Sequence, residues 1–247
     1  GIPNPTLLSK NLGLELRGLL DNSITAQICC NQKEIQAFIE VNSHRNWLAK
    51  PLLGSAGRGL VKFSSDRLPS IKEAHLIEPW LNKEQELSLL YQSNPIDQGG
   101  LRFLGICHQE VSNTGQWISS TSVPKPANGL PTECARLVAN EVLPASKNEV
   151  QNALSTLLET HNYHGPVCID SFLHLTSKGL EWHQISEINA RWSMGRLAHN
   201  LRLKLCPNRS LTLTTIPKDL PLPKNAIFLG DPSTAHTRIP VAIIQNS

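Results

Sequence analysis

The segment Trp182 to Arg196 places Glu187, Asn189 and Arg191 at alternate positions. In a strand, alternate side chains share a face, so a carboxylate, an amide oxygen and a guanidinium would stand in a row over one patch of space. Such a row suits a cation bound to phosphate. The preceding segment, Val167 to Leu175, also reads as a strand, and only Thr176 to Gly179 separates it from Leu180. With Lys178 and Gly179 as a two-residue turn, Ser177 pairs with Leu180 and, counting outward, Asp170 with Glu187. Two carboxylates directly opposite one another repel unless something positive sits between them. A hard divalent cation with oxygen ligands, Mg²⁺ above all, answers that need. A solvated hairpin face, on which the same side chains touch only water, is the alternative reading.

Composition limits what else the chain can do. Its 247 residues are enough for one large or two small domains, and 40% of them are hydrophobic, as in a globular protein. Twenty-three basic side chains against 20 acidic ones leave a formal net charge of +3, with no basic run, so nucleic acid is not an expected partner. No apolar run is long enough to span a bilayer, and Gly1 to Ser9 lacks the pattern of a leader, so membrane partners are not expected and the cytoplasm is the default location. The 6 cysteines include no Cys-x-x-Cys pair, which points to reduced thiols rather than a disulfide framework or zinc site. Gly1 to Pro5 has the composition of a linker, and a fragment of a longer chain is one reading of such a start.

The elements that must position the carboxylates follow in order. Leu12, Leu16, Leu19 and Leu20 have helical spacing after a cap at Ser9, with Lys10 at the start. Ile24 to Ile28 alternates as a strand, and Asn31 with Glu34 has capping-box spacing for a second helix ending near Asn42. Asn46 to Leu53 reads as a strand carrying Lys50 and Pro51. It runs into Gly54-Ser55-Ala56-Gly57-Arg58-Gly59 before another strand at Leu60 to Phe63. The glycine pattern fits neither a phosphate loop nor a dinucleotide-binding turn; a flap that brings backbone amides to phosphates and an ordinary hairpin tip are both open. His75 to Leu81 predicts a strand that breaks at Pro79, and Glu86 to Tyr91 another. Leu101 to Val111 and Gln116 to Thr121 form a hairpin, Pro124 to Pro131 a loop. Ser146 with Glu149 predicts the cap of a helix with Val150, Ala153, Leu154, Leu157 and Leu158 on its apolar face. A last helix carries Met194, Leu197, Ala198, Leu201 and Leu205, its amino end beside the carboxylate face. Beyond Cys206 the proline-rich remainder reads as edge strands and loops. His161 and His164 have metal-compatible spacing, but a structural role is the stronger reading.

In this order, Lys50-Pro51, Gly54 to Gly59, Glu78-Pro79-Trp80-Leu81, Glu86, Asp170 and Glu187-Ile188-Asn189-Ala190-Arg191 resemble the ATP-grasp superfamily, and more loosely its carboxylate-amine ligase branch. The resemblance covers about Ser9 to Leu205. It implies an α+β fold in which two α+β subdomains grip a nucleotide between antiparallel sheets: residues 1–80 as a lid with the glycine flap, 81–205 as the catalytic subdomain, and 206–247 packed on it. It further implies ATP and Mg²⁺ as cofactors. Lys50 would contact the phosphates, Gly54, Ser55, Ala56, Gly57, Arg58 and Gly59 would close over them, and Lys10 is a weaker match to a second phosphate lysine. Glu78, Pro79, Trp80 and Leu81 would form the adenine hinge, and Glu86 the ribose contact. Asp170, Glu187 and Asn189 would hold Mg²⁺, while Arg191 stabilises phosphate and the forming acyl phosphate. The Glu187, Asn189 and Arg191 spacing also resembles biotin-dependent carboxylases. The implied substrates are a small-molecule carboxylate and an amine, and a homodimer is one reading of the assembly.

Two departures stand out. Some ligases of this group place an arginine two residues before the metal-binding aspartate, where this chain has Cys168, so Arg191 or Arg196 would take over that work. The domain that usually precedes the grasp fold has no counterpart in this sequence, so an incomplete chain and a different mode of carboxylate binding are both open. A phosphotransferase on the same fold and a non-catalytic nucleotide-binding module are the competing readings; Asp170, Glu187, Asn189 and Lys50 occurring together speak against the module.

Overall fold

The computed structural model of this chain describes residues 10–20, 25–53, 59–113, 115–231, 233 and 237–245. They form two antiparallel sheets with helices on their outer faces. The small sheet has strand order β1-β4-β2-β3, from Gln27–Cys29 (β1), Asn46–Pro51 (β2), Val61–Ser64 (β3) and His75–Pro79 (β4). Helix α2 (Gln32–Glu40) covers one face, packing Ile35, Phe38 and Ile39 on Trp47, Ala49 and Ile77. The expected cap forms at its start, where Asn31 Oδ1 accepts the Glu34 N–H, while Glu34 Oε2 accepts the N–H of Cys30, one residue before the N-cap position that a full capping box would use. Trp47 and Ala49 serve this core, so by alternation Leu48 and Lys50 of β2 face the other way.

The large sheet has eight strands in the order β11-β12-β10-β7-β6-β5-β8-β9. Its centre is β5 (Asn82–Ser93), β6 (Leu101–Val111), β7 (Trp117–Ser122), β8 (Gly165–Thr176) and β9 (Gly179–Asn189). The proline-rich tail supplies β10 (Leu211–Pro217), β11 (Ala226–Phe228) and β12 (Arg238–Ile244), which extend this sheet rather than pack on it as a separate layer. Helix α5 (Glu149–Thr160) buries Val150, Leu154, Leu157 and Leu158 against Leu87, Leu89, Ile169 and Leu173. Helix α6 (Met194–Leu205) packs on β6, β7 and β10 and buries Ala198 with Leu211 and Leu213. Helix α1 (Asn11–Leu19) precedes the small sheet in sequence, yet Leu12 and Leu16 enter the core of the large sheet beside β9 and α5. Lys10 occupies its N-cap position; the expected cap at Ser9, and the end at Asp21 and Asn22, lie outside the described residues.

Three local expectations are corrected. A helical run occupies residues 132–147: α3 (Thr132–Leu137), a π-helical turn (Val138–Val142) and α4 (Leu143–Lys147). Its buried residues Cys134, Val138, Val142 and Ser146 recur every fourth position, and the π turn lies just ahead of Pro144, whose missing N–H an α-helix would leave as a gap. Ser146 therefore does not cap α5. It is fully buried in α4, its hydroxyl donates to the Val142 carbonyl, and its own carbonyl accepts the Tyr91 hydroxyl. Lastly, β4 continues through Pro79, which pairs with Trp47, so the proline ends the strand without opening it.

Candidate active-site cleft

The register of β8 and β9 sets Asp170 directly opposite Glu187 and Cys168 opposite Asn189. That pairing is the expected one, reached by another route. Thr176 pairs with Gly179, so the turn is Ser177-Lys178, one residue earlier than the spacing predicts. The register then slips between Phe172↔His183 and Asp170↔Glu187, where Ser171 alone faces Gln184, Ile185 and Ser186. This bulge in β9 restores the opposition of the two carboxylates.

Neighbouring strands surround Asp170 with polar groups. Asn189 Nδ2 donates to Asp170 Oδ2 at 2.8 Å, and the Ser88 hydroxyl and Gln109 Nε2 lie 3.4 Å from Oδ1. Burial, then the charges of Glu187 and Glu86, push the Asp170 carboxyl up from 3.8 to about 7. Glu86 itself pairs with Lys83 at 2.7 Å. Across the cleft, buried Lys10 at the start of α1 reaches Glu187 at 3.4 Å.

All of these side chains except the buried Ser88 line a cleft of about 1800 Å³. Leu48, Lys50, Leu53, Leu60 and Lys62 line it from the small-sheet side; Glu86, Gln109, Asp170, Ser186, Glu187, Asn189 and Arg191 line it from the large sheet. Trp80 and Leu81, the link between the sheets, also face it, with Lys62 Nζ 3.3 Å from the Trp80 ring centroid. Arg191 lies beyond the end of β9 and is exposed, its guanidinium donating to the Trp192 carbonyl. The amino end of α6 follows, with the Ser193 hydroxyl accepting the Arg196 N–H. The glycine segment Gly54 to Arg58, with Ser55, Ala56 and Gly57, lies outside the described residues; Gly59, which closes it, has φ +74°, a left-handed conformation that favours glycine.

Two assigned roles shift. Glu78, expected to face adenine, lies beneath the cleft at 5% exposure, held by Lys50 Nζ at 2.5 Å and Arg17 Nη2 at 2.9 Å. Burial alone would raise its carboxyl, but Lys50 and Arg17 override that and hold it down at about 2. Trp80 N–H is committed to the Asn46 carbonyl, so neither it nor Pro79, which has no N–H, is the free donor a strand break would leave. Arg196 does not stand in for the arginine replaced by Cys168: its guanidinium donates to the Tyr91 carbonyl and Gln92 Oε1 on β5. Cys168 is buried, with its thiol 3.5 Å from Asp170 Oδ1.

Four polar residues of this region escaped the sequence reading. Ser88 and Gln109 share the Asp170 face, with Gln109 Nε2 against the Ser88 hydroxyl, and the alternation of Glu86 with Ser88 was their only signal. Arg17 and Ser186 act across elements, and nothing local marks them. His161, by contrast, contacts Glu15 of α1 at 3.2 Å.

Among the described residues no three His, Cys, Asp or Glu side chains converge as metal ligands. What the site offers is two opposed carboxylates and the Asn189 amide, all oxygen donors. Two carboxylates set directly opposite one another at the cleft, with an amide oxygen beside them, fit a hard divalent cation. No helix among the described residues is long and apolar enough to cross a membrane.

Neither a protein-family model nor a curated protein matches this sequence. Solved structures do match. An N5-carboxyaminoimidazole ribonucleotide synthetase from Thermus thermophilus superposes with a TM-score of 0.67 at 13% identity, covering 98% of this chain and 69% of that one. An N5-carboxyaminoimidazole synthetase from Staphylococcus aureus, complexed with ADP, gives 0.64 at 13% identity over 98% and 68%. The biotin carboxylase domain of the Hydrogenobacter thermophilus 2-oxoglutarate carboxylase, in complex with MgADP and bicarbonate, gives 0.60 at 9% identity over 97% and 62%. Two antiparallel sheets lining one cleft, in a chain that superposes on these structures over 97% or more of its length, make this an ATP-grasp fold.

Proposed function

We propose that this chain is an ATP- and Mg²⁺-dependent ligase that activates a small carboxylate as an acyl phosphate for attack by an amine or similar nucleophile. The observation that carries this reading is the opposition of Asp170 and Glu187 on the large sheet, facing a cleft that Lys10, Lys50, Lys62 and Arg191 also line. Acidic groups that need a cation, set among cations that need an anion, suit a metal-nucleotide complex. That structural neighbours are synthetases and carboxylases with ADP or MgADP agrees with it.

In this reading the small sheet and α2, within residues 1–80, supply the lid, while α1 packs with the catalytic body of residues 81–205, and 206–247 give that body its outer strands. Asp170, Glu187 and Asn189 hold Mg²⁺, which when bound offsets the charge spreading over the phosphoryl oxygens. Lys50 and Lys10 hold the phosphates, and Trp80 and Leu81 border adenine beside Glu86. The carboxylate oxygen of the substrate attacks the terminal phosphorus, Arg191 steadies the transferred group, and the amine then displaces phosphate. Closure of Gly54 to Gly59 keeps water from the acyl phosphate. The protein's work is positioning and charge.

A panel of small carboxylates and amines, read by ADP release and product mass, tests this. An amide or related ligated product supports the ligase; a phosphorylated hydroxyl would replace it with a kinase. ATP binding with no turnover across the panel and no loss on Asp170→Asn would leave the binding module as the better reading.

A further inference from the structure

Beneath the cleft lies a buried cluster drawn from three separate elements: Arg17 on α1, Glu78 on β4 and Lys50 on β2. Leu48 pairs with Glu78 and Lys50 with Leu76, so Lys50 and Glu78 are diagonal neighbours on one face of the small sheet. A Lys–Glu pair closed on itself would be electrically neutral and would offer an anion little. Arg17 changes that count. It binds the second carboxylate oxygen of Glu78 at 2.9 Å while Lys50 binds the first, so two cations share one anion and the cluster keeps a net positive charge. His183, 3.4 Å from Arg17 Nη2, does not add to it, because burial and then the Arg17 charge push its imidazole toward the neutral form. Among the described residues Arg17 Nη1 is buried with no hydrogen-bond partner, so the cluster holds more donors than acceptors.

The bulge of β9 receives both cations. Arg17 Nε donates to the Ile185 carbonyl at 2.8 Å, and Lys50 Nζ to the Ser186 hydroxyl at 3.2 Å. Lys50 is thus fixed from two sides and still borders the cleft.

We propose that Arg17 is a positioning residue for Lys50: through Glu78 and the β9 bulge it holds the lysine at the cleft and leaves its charge available to a nucleotide phosphate. The proposal rests on the nucleotide reading above and assigns a role to a residue that touches no substrate. Without Arg17, Glu78 is left to Lys50 alone and neutralises it.

The test is a double-mutant cycle with MgADP as the probe, titrated calorimetrically against the wild-type chain, Arg17→Met, Lys50→Met and the double variant. Arg17→Met should weaken MgADP binding about tenfold, the loss of one charged hydrogen-bonding partner. In the Lys50→Met background the same change should cost little, because the residue it acts through is gone. Arg17→Lys, which keeps the charge but cannot span Glu78 and the Ile185 carbonyl together, should recover part of the affinity. Should Arg17→Met fail to fold by circular dichroism, the cycle is run with Arg17→Lys and must show the same non-additivity. An equal loss in both backgrounds, or no loss at all, overturns the positioning role while leaving the nucleotide reading intact. A wild-type chain that does not bind MgADP overturns both.

Discussion

Replacing Glu187 by glutamine keeps size and shape and removes one of two opposed charges, so its effect on the metal-free protein can be worked out. Asp170 is raised from 3.8 to about 7 in the folded chain, first by burial and then by Glu187 and Glu86. A carboxyl raised in this way contributes stability that is fully present below about pH 4 and is lost as pH rises through about 7, because only the folded state resists ionisation. The whole displacement corresponds to about 4 kcal/mol. Burial is its largest cause, and part of the side chain meets solvent in the cleft, so about 1 kcal/mol is assigned to Glu187. At pH 8, with metal chelated, Glu187→Gln should therefore gain ~2–4 °C in Tm over its value at pH 5.5, each taken relative to wild type. At the lower pH Asp170 is protonated and there is no repulsion to relieve. The bond from Lys10 to Glu187 is lost at both pH values and cancels in the comparison. Thermal unfolding by circular dichroism reads the four melting curves. A Tm difference that is the same at pH 5.5 and pH 8 would refute the electrostatic account of the pair. Adding Mg²⁺ at pH 8 should then stabilise the wild type and leave the variant nearly unchanged.

The buried cluster predicts the opposite pH behaviour: Glu78, held down at about 2, contributes stability that is present above its unfolded value near 4.5 and lost as pH falls through 2. Glu78→Ala should cost ~3–5 kcal/mol at pH 7 by stranding Arg17 and Lys50, and a urea midpoint close to that of wild type would contradict the pairing. Leu154→Ala, at a fully buried position facing β5 and β8, should lower urea stability by ~2–5 kcal/mol with the m-value unchanged. Ser193→Ala should cost ~1 kcal/mol by uncapping α6, and faster amide exchange confined to the first turn of that helix is the readout.

Asn31 with Glu34 and Ser146 with Glu149 carry the same capping signal at the same spacing, and only the first is a cap. The difference lies outside either tetrapeptide. Asn31 begins in extended backbone, where its side chain can turn back on the Glu34 N–H. Ser146 already sits in a helix whose Val142 carbonyl takes its hydroxyl. The run that contains it is hidden from a helical-period search because its buried positions recur every four residues across a π turn, with a proline inside it. Local signals identified most strands of both sheets, since their alternation is set by which face is buried. They could not rank Ser146 against a competitor four residues upstream.

The hairpin that carries the carboxylates shows the same limit from the other side. Counting outward from Lys178-Gly179 arrives at Asp170 opposite Glu187, but the turn lies one residue earlier, and the bulge across Gln184, Ile185 and Ser186 shifts the register to the same pairing. A bulge is invisible to counting because nothing in a strand's own alternation calls for it. Its use is visible only in three dimensions, where the Ile185 carbonyl meets Arg17 from α1 and the Ser186 hydroxyl meets Lys50 from β2. With regular pairing from Phe172 onward, Asp170 would face Ile185, a side chain the core requires to be buried, and Glu187 would fall opposite Cys168. The two extra residues let the hairpin satisfy its apolar core and its carboxylate pair at once, and the backbone they displace is what anchors the cations.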